Sequence, residues 1–237
     1  MISHLSKSLT YAFVASVTTV CMLMMAFFIA EPAMSHGQEA FSNDFTIRQT
    51  ITDENSFKTV GNVIMDGDIN GVTGGTANGA TQFVVISNNA AGYTVEIDFD
   101  YDAGNDEAMV GDESGSEAIR DYGGDAAGPQ PSFAFTASSA AQFAYTVTSS
   151  SSAHTAQSFL SNGGLCNIAA LSSGVQVDET CWKAPQPTGF TVVDTAEAAT
   201  AGATSTLQFR VVVPGAAVPI PLAETYTATA TLSLFIK

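Results

Sequence analysis

Residues 225–236, Thr-Tyr-Thr-Ala-Thr-Ala-Thr-Leu-Ser-Leu-Phe-Ile, alternate hydroxyl and apolar side chains almost without interruption. Thr225, Thr227, Thr229, Thr231 and Ser233 share one parity; Tyr226, Ala228, Ala230, Leu232, Leu234 and Ile236 share the other. Strand side chains point to opposite faces with a period of two, so this pattern predicts a half-buried β-strand with a polar outer face. Such a strand needs an apolar layer beneath it. A strand at this place in the chain can also sit at a sheet edge, where unpaired N–H and C=O groups accept a neighbour.

The same signal recurs upstream. Residues 41–51 read as a first strand, with Phe45, Ile47 and Ile51 on one parity. Residues 62–65 form a short candidate, and 66–79 a Gly-rich loop. Residues 82–87 and 93–99 read as strands joined in a hairpin by Asn88-Asn89-Ala90-Ala91-Gly92. Further strands are expected at 132–136, 142–148, 190–193 and 206–213, with one or two helical turns over 153–160. Residues 100–130 are acidic, Gly-rich and poor in large apolar residues, so they read as a long surface insertion. About nine strands with turn signals between them predict an all-β sandwich of immunoglobulin-like or jelly-roll type.

The chain has 237 residues, 46% of them hydrophobic. Residues 11–30 form an apolar run after Lys7, and Ala33-Met34-Ser35 fits a small-x-small cleavage site. Residues 1–35 are therefore expected to be a signal peptide, and 36–237 one sandwich domain. An uncleaved anchor is the rival reading, because about 20 apolar residues can span a bilayer. Export with cleavage implies a secreted, periplasmic or cell-surface protein with no membrane attachment afterwards. Cys166 and Cys181 remain after the leader, and an even count in an exported chain predicts one disulfide. The short loop it closes makes it worth about 3 kcal/mol in the chain-entropy model.

The net charge is −16, and removing Lys7 and Glu31 with the leader leaves it unchanged. An acidic chain excludes nucleic acid as a partner, since phosphates need Lys and Arg. Eleven acids fall between Glu96 and Asp125, with Arg120 the lone base among them. Glu96, Asp98, Asp100 and Asp102 would project from one face of a continued strand, where repulsion favours a cation between them. Calcium is one reading, as a hard cation that takes carboxylate oxygen; a solvated acidic loop is the other. Asp66-Gly67-Asp68-Ile69-Asn70-Gly71 opens like a calcium loop but places Ala77 where the bidentate Glu belongs, so it reads as a turn.

No catalytic residues are expected. His154 lies among serines, but no nucleophile-elbow motif accompanies it. No phosphate-binding or dinucleotide-binding motif is present. Trp182 with Tyr93, Tyr101 and Tyr122 could form a sugar-stacking platform; packing of Trp182 beside the disulfide is the alternative.

Five phrases together carry a resemblance: residues 45–52 (Phe-Thr-Ile-Arg-Gln-Thr-Ile-Thr), 71–79, 87–95 (Ser-Asn-Asn-Ala-Ala-Gly-Tyr-Thr-Val), the Cys166…Cys181-Trp182 pair, and 224–231 (Glu-Thr-Tyr-Thr-Ala-Thr-Ala-Thr). The chain resembles exported bacterial immunoglobulin-like β-sandwich proteins of uncharacterised function. It is loosely similar to WxL-type surface domains through the Asn-Asn…Gly-Tyr-Thr strand pair. The Trp-x-Leu signature is absent, because Lys183 and Ala184 follow Trp182, so cell-wall binding is not implied. The expectation is a non-enzymatic structural protein of the exterior. One form of it is a pilin-like subunit in which Phe45, Ile47 and Ile51 add as a strand to another copy or another surface protein. The alternative is an extracellular glycan- or calcium-binding module; no cofactor other than calcium is suggested.

Overall fold

The structure, a computed structural model, describes residues 15–22, 46, 48–58, 60–101, 106–123, 131–137, 139–166 and 174–237. The chain divides into two compact units, Met1–Thr50 and Ile51–Lys237. In the first, residues 15–22 are helical and exposed. Among the described residues no helix is long and apolar enough to cross a membrane. Phe45 and Ile47 lie outside the described residues; Ile51 is exposed and outside any strand.

The second unit is mostly β, as the alternating patterns require. In chain order its strands are β1 (Asn55–Lys58), β2 (Gly75–Ser87), β3 (Tyr93–Phe99), β4 (Met109–Gly111), β5 (Ala118–Asp121), β6 (Gln142–Ser149), β7 (Phe190–Thr195), β8 (Ala199–Val213), β9 (Tyr226–Thr227) and β10 (Ala230–Ile236). A short 3-10 turn occupies Gln157–Phe159, where one or two helical turns were expected. One sheet runs β1-β2-β8-β6-β5-β4-β9; the other runs β10-β3-β7.

The two sheets pack face to face over one apolar core. Phe83 and Val85 of β2, Phe143, Tyr145 and Val147 of β6, and Leu207, Phe209 and Val211 of β8 meet Tyr93, Val95, Ile97 and Phe99 of β3 and Val192 and Val193 of β7. Aromatic rings knit the core: Phe99 and Tyr145 bridge the two layers with centroids 5.3 Å apart, and Phe159 of the 3-10 turn meets Phe190 of β7 edge-on at 5.7 Å. Such pairs add about 0.5–1.5 kcal/mol beyond the area they bury.

Several local expectations are corrected. Residues 88–92 do not close a hairpin, because β2 and β3 belong to different sheets. They form an arch over the end of the core, tied by Ser87 Oγ and Asn89 Oδ1, which accept the N–H groups of Asn89 and Ala91. Both strands bury one face against the same core, so they stack rather than pair. The candidate strand at 62–65 is irregular. Its Val63 and Met65 side chains instead cover β2 at Gly79, where a Cβ would lie 2.5 Å from Val63 Cγ1. β2 and β8 reach well beyond the expected spans because Gly, Ala, Ser and Thr carry little hydrophobic signal, yet their backbones pair from Gly75↔Val213 onward. Only a single bridge, Ser132↔Trp182, forms in 132–136.

Residues 106–123 are no mere surface excursion. They carry β4 and β5, and they bury Ala108, Met109, Ile119 and Tyr122. The alternation over 225–236 holds, but the strand breaks at Ala228-Thr229. β9 pairs with β4 in one sheet and β10 with β3 in the other. Asp66 and Asn70 behave as turn residues: Asp66 Oδ1 accepts Asn78 N–H, and Asn70 Oδ1 accepts the N–H groups of Val72 and Thr73.

The arch makes one stringent demand. Gly92 has φ +88°, and a Cβ there would stand 2.0 Å from the Thr195 carbonyl oxygen. Gly92→Ala is therefore expected to destabilise the fold by about 1–3 kcal/mol or more, read as a lower urea midpoint at unchanged slope.

Candidate functional site

The residues expected to matter fall in three places. The first is the disulfide. Cys166 and Cys181 are bonded, with Cα atoms 5.4 Å apart, and Cys181 is fully buried. Trp182 turns away from it to the opposite face of the large sheet. There it packs with Tyr122, Phe135 and Ala144, and the Arg210 guanidinium lies 4.5 Å from its ring centroid. Tyr93, Tyr122 and Trp182 are all buried. The sugar-stacking platform does not form, since stacking needs exposed ring faces. His154 Nδ1 sits 3.1 Å from the Tyr93 hydroxyl, so the histidine engages a phenol.

The second place is the outer face of the small sheet. Glu96 and Asp98 lie side by side on β3, opposite Ser233 and Thr231 of β10. Asp100 follows at the strand end, its N–H donating to Thr229 O. Asp102 lies outside the described residues. Glu96 Oε1 accepts a hydrogen bond from Thr191 Oγ1 at 3.5 Å. Among the described residues no three acidic, histidine or cysteine side chains converge as metal ligands do.

The third place is the sheet edge formed by β10. The hydrogen bonds Asp100 N–H to Thr229 O and Lys237 N–H to Gly92 O bracket its register with β3. Antiparallel residues alternate between bonded and non-bonded pairs, so the odd-numbered residues Thr231, Ser233 and Phe235 bond β3. The even-numbered residues Ala230, Leu232, Leu234 and Ile236 turn their N–H and C=O groups to the other side, which no strand among the described residues pairs with. Of their side chains Leu232 and Leu234 pack against the core and Ile236 is 42% exposed, so this edge has an apolar floor; Phe235, on the opposite face, is 49% exposed.

β7, at the other side of this sheet, is already covered. Ala156 N–H donates to Val192 O, and Asp194 N–H donates to His154 O. In the large sheet β9 is two residues long and β1 four, ending in Lys58; short edges and edge lysines discourage pairing. β1 and β10 lie along one flank with Cα atoms within 8 Å. Lys237 closes the end of β10 by an ion pair with Asp194, and its carbonyl accepts Asn89 Nδ2–H at 2.9 Å.

Sequence reasoning missed a buried polar group where β3 leaves its sheet. Tyr101 Oη contacts Asp121 Oδ2 and lies 2.9 Å from Pro185 O. Asp121 Oδ1 accepts Ala108 N–H at 3.2 Å, and Glu107 Oε2 accepts Asp121 N–H. Burial is the main cause of the shifts here. It raises the Asp121 carboxyl to about 7 and pushes Glu107 and Tyr101 up. It also pushes the Lys183 ammonium down. Only the parity of Asp121 with Ile119 could have signalled that its side chain faces inward.

Comparison with family models, curated proteins and solved structures found no match for this chain. The β10 geometry predicts an alternating exchange pattern for the unassembled chain. Amides of Leu232, Leu234 and Ile236 should exchange with solvent deuterium much faster than those of Thr231, Ser233 and Phe235, resolved residue by residue by NMR.

Proposed function

We propose that the protein is a non-enzymatic, exported structural subunit that assembles by β-strand addition. In this reading residues 45–51 of one copy extend the small sheet of the next along the open edge of β10. The carrying observation is that edge: seven residues long, apolar beneath, and with outward backbone groups at Ala230, Leu232, Leu234 and Ile236. Backbone hydrogen bonds give such additions affinity, and side chains on alternate positions give register. Phe45, Ile47 and Ile51 supply apolar side chains on one parity. Support also comes from the chain division: the compact sandwich begins at Ile51, and Ile51 is 83% exposed. The passage of the chain from one sheet to the other at β2–β3, β6–β7 and β7–β8 supports an immunoglobulin-like or jelly-roll type. The leader-like residues 1–35 and the disulfide support export to the periplasm, the cell surface or the medium.

Deleting residues 36–51 is expected to leave the far-ultraviolet spectrum and thermal midpoint intact while removing oligomers seen by sedimentation and electron microscopy. Replacing Ala230 and Ile236 together by Pro removes two outward N–H groups without touching the bonded positions, and should also block assembly. A natural chain that stays monomeric at high concentration, or a deletion that unfolds the sandwich, would overturn the reading.

A second reading, an extracellular calcium-binding module, is favoured by the adjacency of Glu96 and Asp98 on the outer face of β3. It predicts a higher thermal midpoint in millimolar calcium than in EDTA. Identical midpoints would exclude a calcium site of useful affinity.

A further inference from the structure

We propose that Lys183 and Asp121 join through an intramolecular amide between Lys183 Nζ and Asp121 Cγ, cross-linking the end of β5 to the segment that follows Cys181. This does not depend on the assembly reading. It rests on the register along one side of β6, whose other side is filled by β8. Asp121 lies opposite Phe143, and Lys183 opposite Tyr145 through a two-hydrogen-bond bridge. Partners directly opposite in a sheet share a face, and Phe143 and Tyr145 both point into the core. Asp121 and Lys183 are therefore successive side chains on the inner face of the same edge. Two strand positions put them about 6.6–7 Å apart along the sheet, a gap that a lysine stem and an aspartyl methylene span.

The surroundings favour the reactive forms of both groups. Lys183 is 6% exposed, and its Nζ rests 4.9 Å from the centroid of the Phe190 ring on the opposite sheet. A buried amine in apolar surroundings favours the neutral, nucleophilic state. Tyr101 has one hydroxyl proton but faces two oxygens, Asp121 Oδ2 and Pro185 O. Both contacts are satisfied when Asp121 is protonated and donates to Tyr101 Oη, while Tyr101 donates to Pro185 O. A protonated carboxyl is the electrophile an amine requires. Tyr145, directly opposite Lys183, keeps a fully buried hydroxyl with no hydrogen-bond partner. Buried polar groups are normally satisfied, and the oxygen of a new amide would give this donor an acceptor.

The step balances without any co-reactant. The Nζ lone pair forms the N–C bond at Cγ. The bond from Cγ to its hydroxyl oxygen then breaks, and that hydroxyl leaves with one amine proton as water. Glu107, hydrogen-bonded to the Asp121 backbone, is the carboxylate available to pass that proton. Nothing is oxidised or reduced.

Intact mass spectrometry of the purified, disulfide-bonded chain tests the cross-link. The expected mass is one water below that calculated from its own sequence. Lys183→Arg and Asp121→Ala should each restore the calculated mass, and a tryptic digest of the natural chain should contain a branched peptide joining the two residues. A folded natural chain at its full calculated mass would overturn the proposal. So would a water loss that fragmentation places elsewhere, such as a succinimide at Asp66-Gly67. The natural chain decides the matter alone, so a variant that fails to fold leaves the test intact.

Discussion

The antiparallel pairing of β2 with β8 is the contact on which the rest of the sandwich depends. It runs from Gly75↔Val213 to Val85↔Ala203, then shifts register before Ser87↔Ala199. β1 attaches to the sheet through β2, and β6, with β5, β4 and β9 beyond it, attaches through β8, so this pair sets the plane and direction of the large sheet. Along β8 burial alternates for its whole second half, which lays Leu207, Phe209, Val211 and Val213 in one row. That row, with Phe83 and Val85, is the floor on which β3 and β7 pack. A one-residue slip would turn every one of these side chains to solvent, so the core holds the register as firmly as the ladder holds the core.

Crossing between sheets follows from that floor. β2 leads into β3, β6 into β7, and β7 into β8, each passing from one sheet to the other. Such connections place sequence neighbours in different layers and leave the lateral flanks to strands from distant parts of the chain. β7's flank is closed by residues 154–156. β10's flank is left with alternate backbone groups facing outward. An edge is thus a consequence of the winding order, and strand addition would use what that order leaves open.

The polar group around Asp121 shows the same logic at the other end of the core. Charged groups are seldom buried without a partner, yet Lys183 and Asp121 both point inward because their sheet partners Phe143 and Tyr145 do. The pairing pattern overrules the hydrophobic preference of each residue. Desolvation then shifts both groups toward their neutral forms, the states in which an amine and an acid can condense. The disulfide fixes the segment just before Lys183, and Trp182, anchored by Phe135 and Arg210 on the other face, holds the lysine in place.

The sequence by itself determined the all-β class, the strands β3, β6 and β7, the second half of β8 and the pairing of Cys166 with Cys181. Period-two alternation and cysteine count are local signals, and burial of one face leaves them little freedom. It did not reveal that 88–92 is an arch, since turn residues serve an arch and a hairpin equally well. Nor did it reveal that the alternating run 225–236 divides between two sheets, because both halves keep the same parity. The first halves of β2 and β8 were silent, since Gly, Ala and Thr pair by backbone with almost no apolar signature. The acidic stretch around β4 and β5 concealed Met109 and Ile119 among charges. Only the tertiary structure decided which edge stays open and that Asp121 and Lys183 become neighbours, because sheet order and register arise from contacts between residues far apart in the chain.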